Sequence, residues 1–208
     1  MTAVLSPSAQ KIVLTGVSWE TYDRLLADLA DSGATRLTYD RGTLEIMSPS
    51  AEHEEINRTI ALLVEVLAEE TGTDIRNLGS TTFRREEIER GFEPDSCFYI
   101  QHLESIEGKT QLDLAVDPPP DLVVEIDVTS PSIDKLPIYA QAGVPEIWRY
   151  QGGTLSIHVL VGAEYKARDA SLSFPLLTAD ALAAFVRESR QMRRTVWLRK
   201  VRDSIKAS

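Results

Sequence analysis

Glu125 and Asp127 stand two residues apart in an otherwise apolar run, DLVVEIDV at 121–128. In a strand, residues two apart leave the same face, so the two carboxylates are expected to be neighbours. Burying one ionised carboxylate without a partner is costly, and a second beside it adds repulsion. Something must compensate: a strand end open to water at the Thr129-Ser130-Pro131 turn, a nearby Arg or Lys, or a divalent cation. Two further features join the pattern. Asp95, in Glu93-Pro94-Asp95, precedes the apolar run CFYI at 97–100, and Lys135 follows Asp127 by eight residues. Carboxylates on neighbouring strands with one ammonium group form a site for a hard cation such as Mg²⁺. Such a cation activates water and stabilises charge on a phosphate undergoing hydrolysis. The candidate metal ligands are therefore Asp95, Glu125 and Asp127, with Lys135 as the accompanying cation.

Other chemistry-bearing residues have two readings each. His53, in EHEEI at 52–56, could orient water or contact substrate as a neutral imidazole, or could be a polar residue at a helix start. Glu52 and Glu55 are candidate outer acids, or first-turn residues favoured by the helix dipole. His102 and His158 have no such context and read as surface or strand residues. Cys97 reads as a small buried hydrophobe. Trp148, Tyr139 and Tyr150 read as core packing in preference to base stacking. The sequence holds no Gly-rich phosphate loop, G-x-S-x-G elbow or H-E-x-x-H stretch.

The elements that must carry these groups follow from periodicity and punctuation. Ser18 to Ala30 predicts an amphipathic helix capped by Ser18, with Gly33 beyond its end. Arg36 to Met47 predicts a hairpin turning at Asp40-Arg41-Gly42. Ser48-Pro49-Ser50 opens a long helix that runs to about Thr71 and stops at Gly72, because Ile56, Ile60, Leu63, Val64 and Leu67 keep the 3.6 period. Short β-like stretches follow around 73–83, 94–100 and 122–128. A short helix is expected within 134–142, with Pro137 tolerable only in its first turn. Strands then cover 144–150, 154–161 and 164–168, with Gly152-Gly153 as a turn. Thr178 caps a last helix, which the tail is expected to continue through Leu198, Val201 and Ile205. The order helix, three strands, helix, strand predicts an α/β core: a mixed sheet flanked by helices, with an N-terminal helix and hairpin and a C-terminal hairpin and helix added.

The chain has 208 residues, 43% of them hydrophobic and 26% charged, which suits one globular domain and excludes a disordered or fibrous chain. No apolar run reaches the roughly 18 residues of a membrane helix, and residues 1–11 lack the charge-then-apolar pattern of a secretory signal. A single cysteine excludes a disulfide framework and a thiolate metal cluster. The expectation is a cytoplasmic protein with no membrane partner. The net charge of −10 argues against a nonspecific coat for DNA. That charge is uneven: residues 187–208 hold eight basic and two acidic residues, a net of +6, leaving −16 on the first 186. This basic tail could touch nucleic acid or pair with the body's own carboxylates, and the second reading is preferred because charge runs are usually solvated faces.

Four stretches carry a family resemblance: GTLEIMSPSAEHEEI at 42–56, EPDSCFYI at 93–100, PDLVVEIDVTSPS at 120–132 and DKLPIYAQAGVPEIWRY at 134–150. From about residue 18 to 185 the chain resembles the Uma-type family of restriction endonucleases, a branch of the PD-(D/E)xK nuclease superfamily. The resemblance implies a restriction-endonuclease-like core and metal-dependent phosphodiester cleavage. It matches Asp95 to the Asp of the PD motif and Glu125 to the acid of (D/E)xK. At the Lys position of that motif this sequence has Asp127, and Lys135 fits a lysine displaced to the following helix. Relatives reading E-V-x-S-P-S would align their Glu with Asp127 instead, so both acids stay candidates. His53 matches a histidine that the family tends to show.

The reading is one PD-(D/E)xK-like nuclease domain over 1–208, with a core at about 18–186. It would act as a Mg²⁺-dependent endonuclease on DNA, Mn²⁺ substituting, as a homodimer because duplex cutting needs two active centres. Asp95 and Glu125 would hold the metal, Asp127 is a further ligand candidate, and Lys135 would stabilise developing charge or orient water. Two rivals stand beside it: a catalytically silent nucleic-acid-binding or interaction module of the same fold, and a hydrolase of smaller phosphodiesters. Metal titration separates the first, and comparison of plasmid with a chromogenic phosphodiester separates the second.

Overall fold

The structure, a computed structural model, describes residues 10–29, 35–127 and 133–207. The strands are β1 (Gln10–Thr15), β2 (Arg36–Asp40), β3 (Thr43–Ser48), β4 (Arg76–Gly79), β5 (Phe83–Arg85), β6 (Arg90–Phe92), β7 (Ser96–Tyr99), β8 (Leu122–Asp127), β9 (Glu146–Gln151), β10 (Thr154–Val161) and β11 (Glu164–Arg168). The helices are α1 (Trp19–Asp28), α2 (Ala51–Thr71), α3 (Leu136–Ala142), α4 (Ala179–Ser189) and α5 (Arg194–Lys206).

A six-stranded sheet runs in the order β11-β10-β9-β8-β7-β4. Its β8 and β9 are parallel, and the other pairs are antiparallel. The expected core order is present as α2, β4, β7, β8, α3 and β9. Strand alternation divides the central strand between two apolar layers. Leu122, Val124 and Ile126 join Ile60, Leu63, Leu67, Trp148 and Trp197 beneath α2, α4 and α5, whereas Val123 joins Cys97, Ile138, Tyr139 and Ile147 on the α3 side. Glu125 and Asp127 share the parity of Val123 and so leave on the α3 side.

The hairpin is more than an addition to that core. It forms the middle of a second, five-stranded sheet in the order β1-β3-β2-β6-β5. Neither β1 nor the pair β5 and β6 is marked by a long alternating pattern; β5 and β6 are three residues each, too short for periodicity to show. One face of this sheet packs Leu37, Tyr39 and Leu44 against Tyr22 of α1. The opposite face carries Arg36, Thr38 and Glu45, all buried although polar.

Helix punctuation behaves as the residues dictate. Ser18 and Ser50 cap α1 and α2 by accepting from Thr21 N and His53 N, and Gly72 ends α2 in the left-handed region at φ 64°. Pro137 lies in the first turn of α3. The C-terminal expectation needs correction: α4 does not continue through the tail but stops at Ser189, and α5 is a separate helix. Folding back lets Trp197, Val201 and Ile205 join the α2 layer, with Trp197 Nε1 donating to Phe185 O at 2.8 Å. Burial of those side chains outweighs the continuity of one helix. The Thr129-Ser130-Pro131 turn and Gly33 lie outside the described residues.

Candidate active site

The β7/β8 register pairs Ser96 with Val124. Continued by one residue, it sets Asp95 opposite Glu125 at the mouth of the two strands. Asp95 is 1% exposed and is surrounded by a backbone amide, an imidazole and a guanidinium. Its Oδ2 accepts from Ile126 N at 2.8 Å and lies 3.2 Å from His53 Nε2, while its Oδ1 lies 3.1 Å from Arg36 Nε. The Arg36 contact is close enough for ionic attraction, but neither it nor the His53 contact is aligned as a hydrogen bond, so Oδ1 is a buried oxygen without a hydrogen-bond donor. Asn57 fixes the strand start from α2, donating to Asp95 O at 2.9 Å and accepting from Ser96 Oγ at 2.8 Å.

Glu125 faces a different set. Lys135 Nζ donates to its Oε2 at 2.8 Å, and Tyr139 Oη donates to its Oε1. Lys135 is the N-cap residue of α3, so Tyr139 lies one turn further on the same helical face. These two side chains, with Glu125, Asp127, Asp134, Arg149 and Lys11, line a cleft of 420 Å³. Asp95 does not line that cleft; it borders a separate polar groove of 430 Å³ with Arg36, Asn57 and Ser96.

The two acids are driven apart. Burial pushes Asp95 up, but the His53 contact, Lys135 and Arg36 outweigh it and hold the carboxyl below the usual range. Burial likewise pushes Glu125 up, and there the Asp95 charge adds to it, so the carboxyl stays raised despite Lys135 and Tyr139. Burial works against the Lys135 ammonium, yet Glu125 and Asp95 hold its pKa above the ordinary lysine value. Burial and the Glu125 charge raise Tyr139 and keep it a donor. One acid held ionised beside one held high is the pattern of a chemical centre.

Asp95, Glu125, Lys135 and His53 are thus brought together. Asp127 lines the same cleft, but its Oδ2 is 2.5 Å from Arg149 Nε, away from Lys135's hydrogen bond. His53 is 1% exposed and acts on Asp95, not on the cleft. Glu52 and Glu55 are outside the site, both meeting Arg190, at 3.0 and 3.5 Å. His102 pairs with Asp121 at 2.6 Å, and His158 lies on β10 beside Ser156. Cys97 and Trp148 are core residues, as their types imply. Tyr139 is both core and site, a role that packing propensity hides and the four-residue spacing from Lys135 could have signalled. Arg36 and Asn57 carry no local signal, because their partners come from distant strands.

Among the described residues, no group of three His, Cys, Asp or Glu converges as a metal cage. Two carboxylates are nevertheless enough for Mg²⁺, which usually keeps several waters and takes one or two carboxylates plus substrate oxygens. Asp95 and Glu125, opposed across β7 and β8, supply two such carboxylates, with Asp95 Oδ1 beside Arg36 Nε at 3.1 Å.

Residues 19–188 match the family described as "Uma2: Putative restriction endonuclease". The chain belongs to the Uma2 family. The match runs from α1 into α4, so it takes in both sheets except β1 and includes His53, Asp95, Glu125, Asp127 and Lys135 but not Lys11. Among solved structures, the Uma2 chain is similar to one described as "a putative nuclease belonging to DUF820" from Anabaena variabilis ATCC 29413. The two share 16% identity over 72% of this chain and 90% of that one, with a TM-score of 0.49. No curated protein matches. Among the described residues, no helix is long and apolar enough to cross a membrane.

Proposed function

We propose that this protein is a divalent-metal-dependent endonuclease acting on DNA, with Mg²⁺ as the working ion and Mn²⁺ as a substitute. The observation that carries the reading is the Asp95, Glu125 and Lys135 cluster at the mouth of β7 and β8, in a chain of the Uma2 family. Asp95 and Glu125 are the proposed metal ligands. A divalent cation bound there would polarise a phosphoryl oxygen and activate water.

The chain's own groups have separable tasks. His53 and Ile126 N orient Asp95 from two sides, and Arg36 helps to keep it ionised. Tyr139 holds one oxygen of Glu125, which leaves the other facing Lys135. Lys135 is placed to stabilise negative charge growing on the phosphate, a preorganised contribution of the kind that dominates many enzymes. Its position on α3 makes up for Asp127 at the motif's lysine position. Arg149, paired with Asp127 on the cleft wall, and Lys11 offset the acidity that would repel a phosphate backbone. Two such centres in a homodimer would cut both strands of a duplex.

The test is cleavage of supercoiled plasmid with Mg²⁺ or Mn²⁺ by the wild type and by Asp95→Asn and Lys135→Met, with a chromogenic phosphodiester alongside. Nicked or linear plasmid from the wild type alone, suppressed by a chelator, is the expected result. Equal cleavage by D95N overturns the site. No cleavage by a wild type that also fails to bind Mn²⁺ favours the silent binding module, and cleavage of the small diester alone favours the smaller substrate.

A further inference from the structure

Glu45 is a buried acid that the proposed chemistry leaves unused. It lies on β3, is 2% exposed, and its Oε2 has no hydrogen-bond donor. Its other oxygen is 4.0 Å from Lys11 Nζ, and Lys11 lines the same cleft as Glu125 and Lys135. The β2/β3 register pairs Thr38 with Glu45 and Arg36 with Met47, so Glu45 shares its sheet face with Arg36. Arg36 reaches Asp95 from that face, which therefore borders the candidate site. An undonated carboxylate oxygen at this depth costs free energy unless a cation meets it.

Lys135 faces the complementary problem. It donates to Glu125 Oε2, while Tyr139 occupies Oε1. A divalent cation taken up by Glu125 would repel the ammonium from that oxygen. Lys135 already feels the negative charge of Glu45 as well as those of Glu125 and Asp95.

Resting on the metal-centre reading above, we infer that Glu45 is a positioning residue, the alternate acceptor to which the Lys135 ammonium turns when Glu125 takes the metal. The second sheet then supplies an acid that neither approaches the metal nor touches substrate. It holds the Lys135 ammonium inside the cleft in the state that reacts. The same transfer frees Glu125, so Glu45 assists metal uptake as well as the later chemistry.

The experiment is Mn²⁺ affinity by calorimetry, with thermal unfolding measured in parallel, for the wild type, Glu45→Gln, Lys135→Met and the double variant. E45Q removes the negative charge that draws the ammonium and leaves Lys135 on Glu125, so Mn²⁺ binding is expected to weaken about 10–100-fold, the usual effect of losing an outer partner. In the K135M background the same substitution is expected to change Mn²⁺ affinity less than about twofold, because no ammonium is left to relocate. Equal affinity of wild type and E45Q overturns the inference. An undiminished E45Q effect in the K135M background also overturns it, since Glu45 would then act on the metal directly. Should E45Q not fold, Glu45→Asp withdraws the carboxylate by one methylene and is expected to weaken binding in the same direction, and wild-type affinity in E45D overturns the inference. Absence of Mn²⁺ binding by the wild type sinks the metal-centre reading and this inference together, whereas the other failures leave that reading intact.

Discussion

Asp95 and Glu125 face each other across two strands yet are pulled in opposite directions, and their partners explain the difference. Asp95 gathers an amide, an imidazole and a guanidinium, whereas Glu125 has an ammonium and a phenol while feeling the charge of Asp95. Tyr139 is the decisive neutral donor. Tyr139→Phe leaves a buried carboxylate oxygen without its donor, and the loss is expected to be about 1–3 kcal/mol, read as a lower thermal midpoint; an unchanged midpoint would show that Glu125 does not depend on it. Cys97 supplies a second prediction. Burial pushes its thiol from 9.0 up to about 12, so the folded chain retains a proton that the unfolded chain releases above pH 9. Stability is therefore lost as pH rises from about 9 towards 12, and Cys97→Ala should flatten that part of the alkaline denaturation curve. In native protein at pH 8 the thiol should stay inert to alkylating reagents, and rapid labelling would refute this. Asp95, Glu125 and Lys135 were legible in the sequence because charges beside apolar runs demand compensation. Arg36, Asn57 and Glu45 were not, since their partners lie on strands far away in the chain.

Element by element, the helices were the most readable. Ser50, the 3.6 period through Leu67, and Gly72 bound α2, and the Ser50 cap also presents His53 to Asp95. The strands of the second sheet were less so, because β5 and β6 are held by their neighbours more than by their own pattern. Gly91 of β6 shows the degree of tertiary control. A Cβ there would lie 2.6 Å from Tyr22 Cζ, and closer still to its hydroxyl. Tyr22 is fully buried and stacks on Tyr39 with centroids 4.8 Å apart. Gly91→Ala must displace that stack and is expected to cost about 1–3 kcal/mol, measured by denaturant unfolding. Wild-type stability in G91A would mean that α1 is free to move away from the sheet. The break between α4 and α5 was illegible for a related reason: no Gly or Pro marks it, and only the burial of Trp197, Val201 and Ile205 requires it.

Taken together, the molecule is two sheets with charge gathered between them and along α2. The basic tail does not project as a free arm. Arg190 meets Glu52 and Glu55, Arg202 meets Glu69 and Glu70, and Lys206 meets Glu70, so three of the tail's eight basic residues pair with the acidic helix that it covers. The cations left around the cleft, Lys11, Lys135 and Arg149, come instead from β1, the start of α3 and β9. Composition showed the imbalance between body and tail, and these pairs with α2 offset part of it. The central claim is that Asp95 and Glu125 share one divalent cation, and anomalous diffraction from crystals soaked in Mn²⁺ tests it most directly. A shared cation gives a single strong peak between the two carboxylates at about 2.0–2.2 Å from each, absent in crystals of Asp95→Asn. Crystals of the wild type without that peak, or with a peak bound by Asp127 alone, would contradict it.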